Sequence, residues 1–388
     1  MCGIAGFIGE SKKPVLTYQL MTKLFEKSET RGIDAAGYWG TQSGEKGSVL
    51  YHKEPGKASQ FVKKDVWKQV ARYNPNLLLV HARGASKGVG EPHVNSNNHP
   101  FTSLNKSIGL IHNGRVDEDE YQTLKKKYGL LSQCDSEIIL RIFENGESYT
   151  PDELEVFGDA ECPARLAGIS DVFSLINAGH MAVAVGERGE NGKRMLWLFR
   201  NRHRPIWVVD MRDTLGQIFF ISDPNIWEDA VAECSGVKNL TKNQKLIELP
   251  TEEIWYFSVG TDRPCPKNVQ RFEVIKESSS PWSFDGKLAM PIQKDADFEV
   301  ITQLDQNDRV LAARAPKVEL PQPEPEVDET ESLSMHEIDK RCDAIVDATD
   351  NIQTYCKQMI VEKSITQREL TVISEKILAL QKELEAII

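Results

Sequence analysis

The feature that most constrains the fold is a series of short apolar runs spread over residues 1–260: Leu77–Val80, Met181–Val185, Met195–Phe199, Ile206–Val209, Ile218–Ile221 and Ile254–Phe257. Rich in β-branched and aromatic residues and bounded by turn residues, they suit buried strands. Between some of them the spacing predicts helices over Val15–Lys27 after Pro14, Phe61–Tyr73, Ser136–Glu144 and Ile226–Ala232. Strands interrupted by grouped helices point to layered sheets covered by helices, an α+β architecture rather than a regular βαβ alternation. At 388 residues the chain has room for two or three such units.

Beyond Gly260 the pattern weakens, which leaves 261–314 as an extension without a clear reading. Residues 315–333 are acidic and hold Pro316, Pro321, Pro323 and Pro325. Such a segment cannot bury enough apolar area to offset its ordering entropy, so it reads as an extended linker. In 334–388 the character changes again. Ser334 and Glu337 fit a capping box, followed by Ile338, Cys342, Ile345, Thr349, Ile352, Cys356 and Met359 at alternating spacings of four and three. Thr366 and Glu369 fit a second, followed by Leu370, Ile373, Ile377, Leu380, Leu384 and Ile387. Two C-terminal amphipathic helices are expected. Neither is stable with its stripe in water, so they form a hairpin or coiled coil, self-associate, or dock on a partner.

Lysine and arginine number 47 against 58 acids, and residues 315–388 carry 8 basic and 16 acidic side chains, hence −8 of the net −11. This balance excludes a sequence-independent nucleic-acid binder and a protein held on an anionic membrane surface. No run of 18 apolar residues and no secretory leader pattern occurs, so a cytoplasmic location is expected. Cys2, Cys134, Cys162, Cys234, Cys265, Cys342 and Cys356 are scattered without close pairs, and reduced thiols are the expected state.

The chemistry concentrates in a few clusters. The chain starts Met1-Cys2-Gly3-Ile4-Ala5-Gly6-Phe7. A small second residue permits removal of the initiator methionine, which would give Cys2 a free α-amino group beside its thiol. With a reference pKa of about 7.7–8.0 that amine can serve as a base near neutrality, so one residue supplies nucleophile and base. Other polar clusters sit where strands or turns end: Arg31-Gly32-Ile33-Asp34, His81-Ala82-Arg83-Gly84-Ala85-Ser86-Lys87-Gly88, Asn98-His99-Pro100, Ile111-His112-Asn113-Gly114 and Cys134-Asp135-Ser136-Glu137. Together they hold a cation, an aspartate, a carboxamide and flexible glycine backbone, an inventory suited to gripping an amino acid and stabilising an oxyanion.

In this order and at these spacings, the clusters resemble the glutaminase domain of class II glutamine amidotransferases over residues 2–260. The resemblance implies the N-terminal-nucleophile hydrolase fold, a four-layer αββα sandwich, and hydrolysis of the side-chain amide of L-glutamine with release of ammonia. It implies Cys2 as nucleophile, with Asn113 and Gly114 forming the oxyanion hole. Arg83, assisted by Ser86, would grip the α-carboxylate of glutamine, and Asp135 its α-ammonium group. It implies no metal and no cofactor, and the spacings of His81, His93, His99 and His112 fit no zinc pattern. Arg31 and Asp34 are expected to brace the nucleophile's loop, and Cys134 to be a buried small residue.

The chain departs from the sugar-phosphate amidotransferases at Gly84, Ser86 and Lys87, where that subgroup has tryptophan, threonine and histidine. Ser86 keeps a hydroxyl; Gly84 removes an aromatic wall, so altered coupling is expected. Residues 261–388 show no sugar-isomerase domain and no pyrophosphate or phosphoribosyl-diphosphate motif. Three readings follow: a glutaminase that passes ammonia to a separate synthase, with 334–388 as docking or oligomerisation element; a stand-alone hydrolase of γ-glutamyl amides or peptides; and a non-catalytic scaffold that keeps the fold.

Overall fold

A computed structural model describes residues 2–276 and 287–291, apart from 43–47, 87–89, 158–159, 177, 190–191, 242–243, 252, 261–265 and 267–268. The chain divides after Arg309 into two units, and the described residues all belong to the first. The expected linker 315–333 and the amphipathic helices of 334–388 lie outside the described residues.

In chain order the strands are β1 (Gly3–Ile8), β2 (Ala35–Gln42), β3 (Val49–Pro55), β4 (Pro75–Arg83), β5 (Phe101–Thr102), β6 (Ile108–Arg115) and β7 (His180–Arg188). They continue with β8 (Arg194–Arg200), β9 (Trp207–Met211), β10 (Gln217–Ile221), β11 (Leu246–Glu248), β12 (Glu253–Val259), β13 (Val269–Lys276) and β14 (Lys287–Pro291). One sheet runs β11-β9-β10-β1-β4-β2-β3 and the other β14-β13-β12-β8-β7-β6-β5. Neighbours pair antiparallel, for example Gly6 with Leu79 and Asn113 with Ala182. The second sheet extends past Gly260, since β13 and β14 add two strands at its edge.

Side-chain alternation along each strand builds the layers. On β4, Leu77 and Leu79 enter a core between the sheets with Ile4, Trp39, Ile111, Leu198 and Phe220. Leu78 and Val80 face the other way, against Leu20, Leu24 and Phe25 of the helix Pro14–Ser28 and Trp67 of the helix Asp65–Tyr73. On the second sheet, Val183 and Val185 face outward onto Ile138, Ile142 and Phe143 of the helix Ser136–Asn145 and Ile169 and Phe173 of the helix Pro163–Leu175. Two antiparallel sheets thus share one core and each carries a helical layer on its outer face.

The expected helix over Phe61–Tyr73 is two pieces, Ala58–Phe61 and Asp65–Tyr73, with Phe61 and Val62 buried where the first ends. The other three expected helices form as Pro14–Ser28, Ser136–Asn145 and Pro224–Glu233. Proline in the first turn starts two of them, where its missing N–H costs nothing. Among the described residues no helix is long and apolar enough to cross a membrane.

Candidate active site

Alternation also decides which polar residues meet. Cys2 precedes Ile4 by two positions and so shares its inward face, Arg83 continues the series Leu77, Leu79 and His81 on β4, and Asn113 follows Ile111 on β6 of the facing sheet. Gly3 pairs with Ala82, so Cys2 and Arg83 are the next positions outward on adjacent strands. The apolar residues fill the middle of the sandwich and the polar ones gather at one end.

Cys2 is 8% exposed. Its backbone nitrogen donates to Oδ1 of Asn113 at 3.1 Å, and its Sγ lies 3.7 Å from the carbonyl oxygen of Gly84. Its own carbonyl accepts from Nε of Arg31 at 3.1 Å, while Nη1 of Arg31 pairs with Asp223 at 2.8 Å. Asp34 accepts from the amide of Ala85 at 2.7 Å and donates its own amide to the Arg83 carbonyl at 2.9 Å. Arg31 and Asp34 therefore hold the segments that carry the thiol and the cation, as expected of bracing residues.

Burial pushes the Cys2 thiol up from its ordinary value, with Asp135 adding to it, against the opposing influence of the Gly84 backbone, the amino-terminal charge and Arg83. A thiol in that state rests protonated, and acting as a nucleophile it needs a base.

Asn113 is fully buried, and with Oδ1 on the Cys2 nitrogen its Nδ2 has no partner among the described residues. An unpaired buried donor costs about 1–3 kcal/mol, so this group is available to an acceptor. Gly114 follows, paired with Met181, and a Cβ here would run into the His180 carbonyl oxygen and Nε2 of His112.

Arg83 is 3% exposed. Its Nη1 donates to Oδ1 of Asn98 and its Nη2 to the carbonyl oxygen of Gly90, both at 2.8 Å. Asp135 is buried at the start of the helix Ser136–Asn145, where the helix dipole favours a carboxylate. Its Oδ2 accepts from the amide of Val116 at 2.8 Å. The turn Asn95–Asn97 joins the two charged residues: Asn98 follows it onto Arg83, and Oδ1 of Asn97 accepts from the amide of Gln133 at 2.8 Å, two positions before Asp135. Ser86 stands apart; it is exposed and makes no side-chain hydrogen bond among the described residues.

The histidines pack rather than gather around an open site. His81 stacks on His99 with ring centroids 3.9 Å apart and meets the His112 carbonyl oxygen across the sheets at 3.0 Å, while Nδ1 of His112 reaches Oγ of Ser136 at 2.8 Å. Burial holds His81 down to about 3 and lowers His99 and His112. Burial pushes Cys134 up to about 12, with Asp135 in the same direction, which makes it an inert neighbour of Asp135. The cluster Asn98-His99-Pro100 shows no role for Asn98 in the sequence, and Asn97, Asp223 and Lys53 carry no motif that would single them out.

No family model matches the chain. Glutamine–fructose-6-phosphate aminotransferase (isomerizing) from Bacillus thuringiensis subsp. konkukian is 34% identical over 206 residues, 52% of this chain and 29% of its own length. The protein of the same name from Bacteroides thetaiotaomicron is 31% identical over 149 residues, 37% of this chain and 22% of its own. The chain spans under a third of the length of these curated relatives. A solved structure of glutamine phosphoribosylpyrophosphate amidotransferase from B. subtilis aligns with a TM-score of 0.43 at 16% identity, over 69% of this chain and 50% of that one. A buried cysteine at position 2 thus faces an asparagine-glycine pair in a chain that is similar in sequence, over 52% of its length, to a glutamine–fructose-6-phosphate aminotransferase.

Proposed function

We propose that this domain hydrolyses the side-chain amide of L-glutamine through a thioester on Cys2 and releases ammonia for a separate synthase partner. The observation that supports it most is the division of labour within Asn113: Oδ1 on the Cys2 nitrogen at 3.1 Å, Nδ2 buried and unpartnered. One carboxamide can orient the base and offer a donor to an oxyanion.

In this reading removal of Met1 frees the α-amino group of Cys2. That amine takes the thiol proton, and the sulfur attacks the side-chain carbonyl carbon of glutamine. The oxyanion that forms is met by Nδ2 of Asn113 and the backbone N–H of Gly114. The ammonium group returns its proton to the leaving nitrogen, the C–N bond breaks, and ammonia departs. Water then attacks the γ-glutamyl thioester, giving its proton to the same amine, and collapse of the second tetrahedral species releases glutamate and restores the thiol. Arg83 binds the α-carboxylate as a planar fork of donors, and Asp135 binds the α-ammonium group. Ser86, exposed in the structure, joins the carboxylate contact only if its side chain moves inward. The separate partner is supported by the two heptad stripes of 334–388, which offer a surface for docking or self-association.

The test is ammonia release from glutamine by wild type and Cys2→Ala, with labelling by 6-diazo-5-oxonorleucine read at residue 2 and intact mass confirming loss of Met1. Turnover and labelling in wild type alone are expected; their absence from correctly processed protein refutes the reading. Copurification with and without 334–388 tests the partner, and association unchanged by the deletion removes those residues from the docking role.

A further inference from the structure

Resting on the proposed role of Arg83, we infer that Lys53 is a positioning residue for the substrate site: its ammonium group ties residues 95–100 to β3 and so sets Asn98 against Arg83. Lys53 lies on the outer strand of its sheet, where a lysine ordinarily points into water. Here Nζ donates instead to the backbone carbonyl oxygens of Asn98 at 2.5 Å, Pro100 at 3.2 Å and Ser96 at 3.4 Å, and it sits 4.8 Å from the centre of the Phe101 ring. An ammonium group has three donors, and all three end on this one turn. The Lys53 carbonyl also accepts from Nδ2 of Asn95 at 2.8 Å, so β3 holds the turn from two sides.

Asn98 carries that grip to the site. Its Oδ1 accepts from Nη1 of Arg83 at 2.8 Å and its Nδ2 donates to the Pro92 carbonyl at 2.8 Å. Through Asn97 the same turn reaches the loop before Asp135. Lys53 touches neither charged residue, yet both segments that would hold an amino acid's charged groups are referenced to the turn it clamps.

The clamp is sensitive to pH. Burial lowers Lys53 to about 8, with Arg83 acting in the same direction and Cys134 and Glu137 opposing. His81 and His99, which also face it, are uncharged near neutrality, and burial pushes the Tyr51 hydroxyl up to about 12. Above about pH 8 the ammonium becomes an amine, and one of the three carbonyls meets a lone pair.

The experiment measures glutamine hydrolysis and backbone amide exchange in the full chain for wild type, Lys53→Met and Lys53→Arg. Lys53→Met is expected to raise KM about tenfold, with kcat within about twofold, and to speed exchange over 94–98. Wild-type KM should rise above about pH 8, and Lys53→Arg should abolish that rise. Unchanged KM in a folded Lys53→Met overturns the inference. Where that variant does not fold, a wild-type KM flat between about pH 7 and about pH 9.5 overturns it equally. If wild type turns over no glutamine, the proposed function fails on its own, and unaccelerated exchange over 94–98 in Lys53→Met then refutes the clamp.

Discussion

Nε of Arg31 donates to the carbonyl oxygen of Cys2 at 3.1 Å while its Nη1 pairs with Asp223 at 2.8 Å, so one side chain ties the nucleophile to a residue just past the adjacent strand β10. Asp223 is itself fixed, capping the helix Pro224–Glu233 by accepting from the amide of Asn225 at 3.0 Å. Arg31→Met removes a charge-assisted bond of about 1.5–3 kcal/mol from the Cys2 segment and leaves Arg83, Asn98 and Asp135 untouched. The expected outcome is a kcat about tenfold lower or worse with KM within about threefold, read from steady-state ammonia release. A rise in KM alone would instead place Arg31 in substrate binding.

Asn113→Ala deletes the acceptor on the Cys2 nitrogen and the unpartnered Nδ2 together. Loss of one oxyanion donor typically lowers kcat by about 10²–10³, and this variant is expected to fall at least that far. Stability should fall by about 1–3 kcal/mol, because the buried Cys2 nitrogen loses its acceptor. Single-turnover labelling at Cys2 alongside a thermal melt checks both halves, and near-wild-type labelling would remove Asn113 from the oxyanion hole.

The part of this site legible in the sequence is that where a functional cluster follows a plain apolar run, as Arg83 does after Leu77–Val80. The central strands β1 and β2 were harder. Gly-Ile-Ala-Gly-Phe-Ile and Ala-Ala-Gly-Tyr-Trp-Gly have weak strand propensity, yet Gly6 lies against the Leu78 carbonyl and the Phe220 ring, and Gly37 against the His99 carbonyl, where no side chain fits. Two longer helices carry no clear sequence signal, for opposite reasons. Glu118–Tyr128 buries only Tyr121 and Leu124 and so lacks an apolar stripe, whereas Pro163–Leu175 is buried over most of its circumference and lacks a polar one. Lys53 was invisible in principle, since a lone lysine on an alternating strand reads as solvent-facing and only the turn packed over it makes it otherwise.

The buried histidines predict an acid-side loss of stability. In the unfolded chain each titrates near 6.5; in the folded protein burial holds His81 down to about 3 and also lowers His99 and His112. Below pH 6.5 the unfolded state therefore binds protons that the folded state refuses, and stability falls as pH falls, by up to about 1.4 kcal/mol per pH unit for each histidine. For His81 the loss begins near 6.5 and continues toward about pH 3. Urea midpoints at about pH 7.5 and about pH 5 should show the decline. His99→Phe should make it shallower, because both ring nitrogens of His99 are buried without partners among the described residues and the ring already packs on His81 and Phe101. An unchanged slope would assign the acid sensitivity to other groups.

Gly114→Ala tests whether the backbone beside Asn113 must lie as close to β7 as it does. The new methyl would meet the His180 carbonyl oxygen and Nε2 of His112, neither of which can yield cheaply: the first is backbone, and the second belongs to a buried ring fixed through Nδ1 by Ser136. Overpacking of this kind costs about 1–3 kcal/mol, and relief by parting β6 from β7 would carry Asn113 and the Gly114 N–H away from Cys2. The variant should melt earlier and lose labelling at Cys2 even where it remains folded. Gly129→Ala is the control, since Gly129 has φ +59° with open space around its Cβ position. It should cost about 1–2 kcal/mol through backbone strain alone and leave labelling intact. Equal labelling in the two variants would show that the approach of β6 to β7 at Gly114 is not what shapes the site.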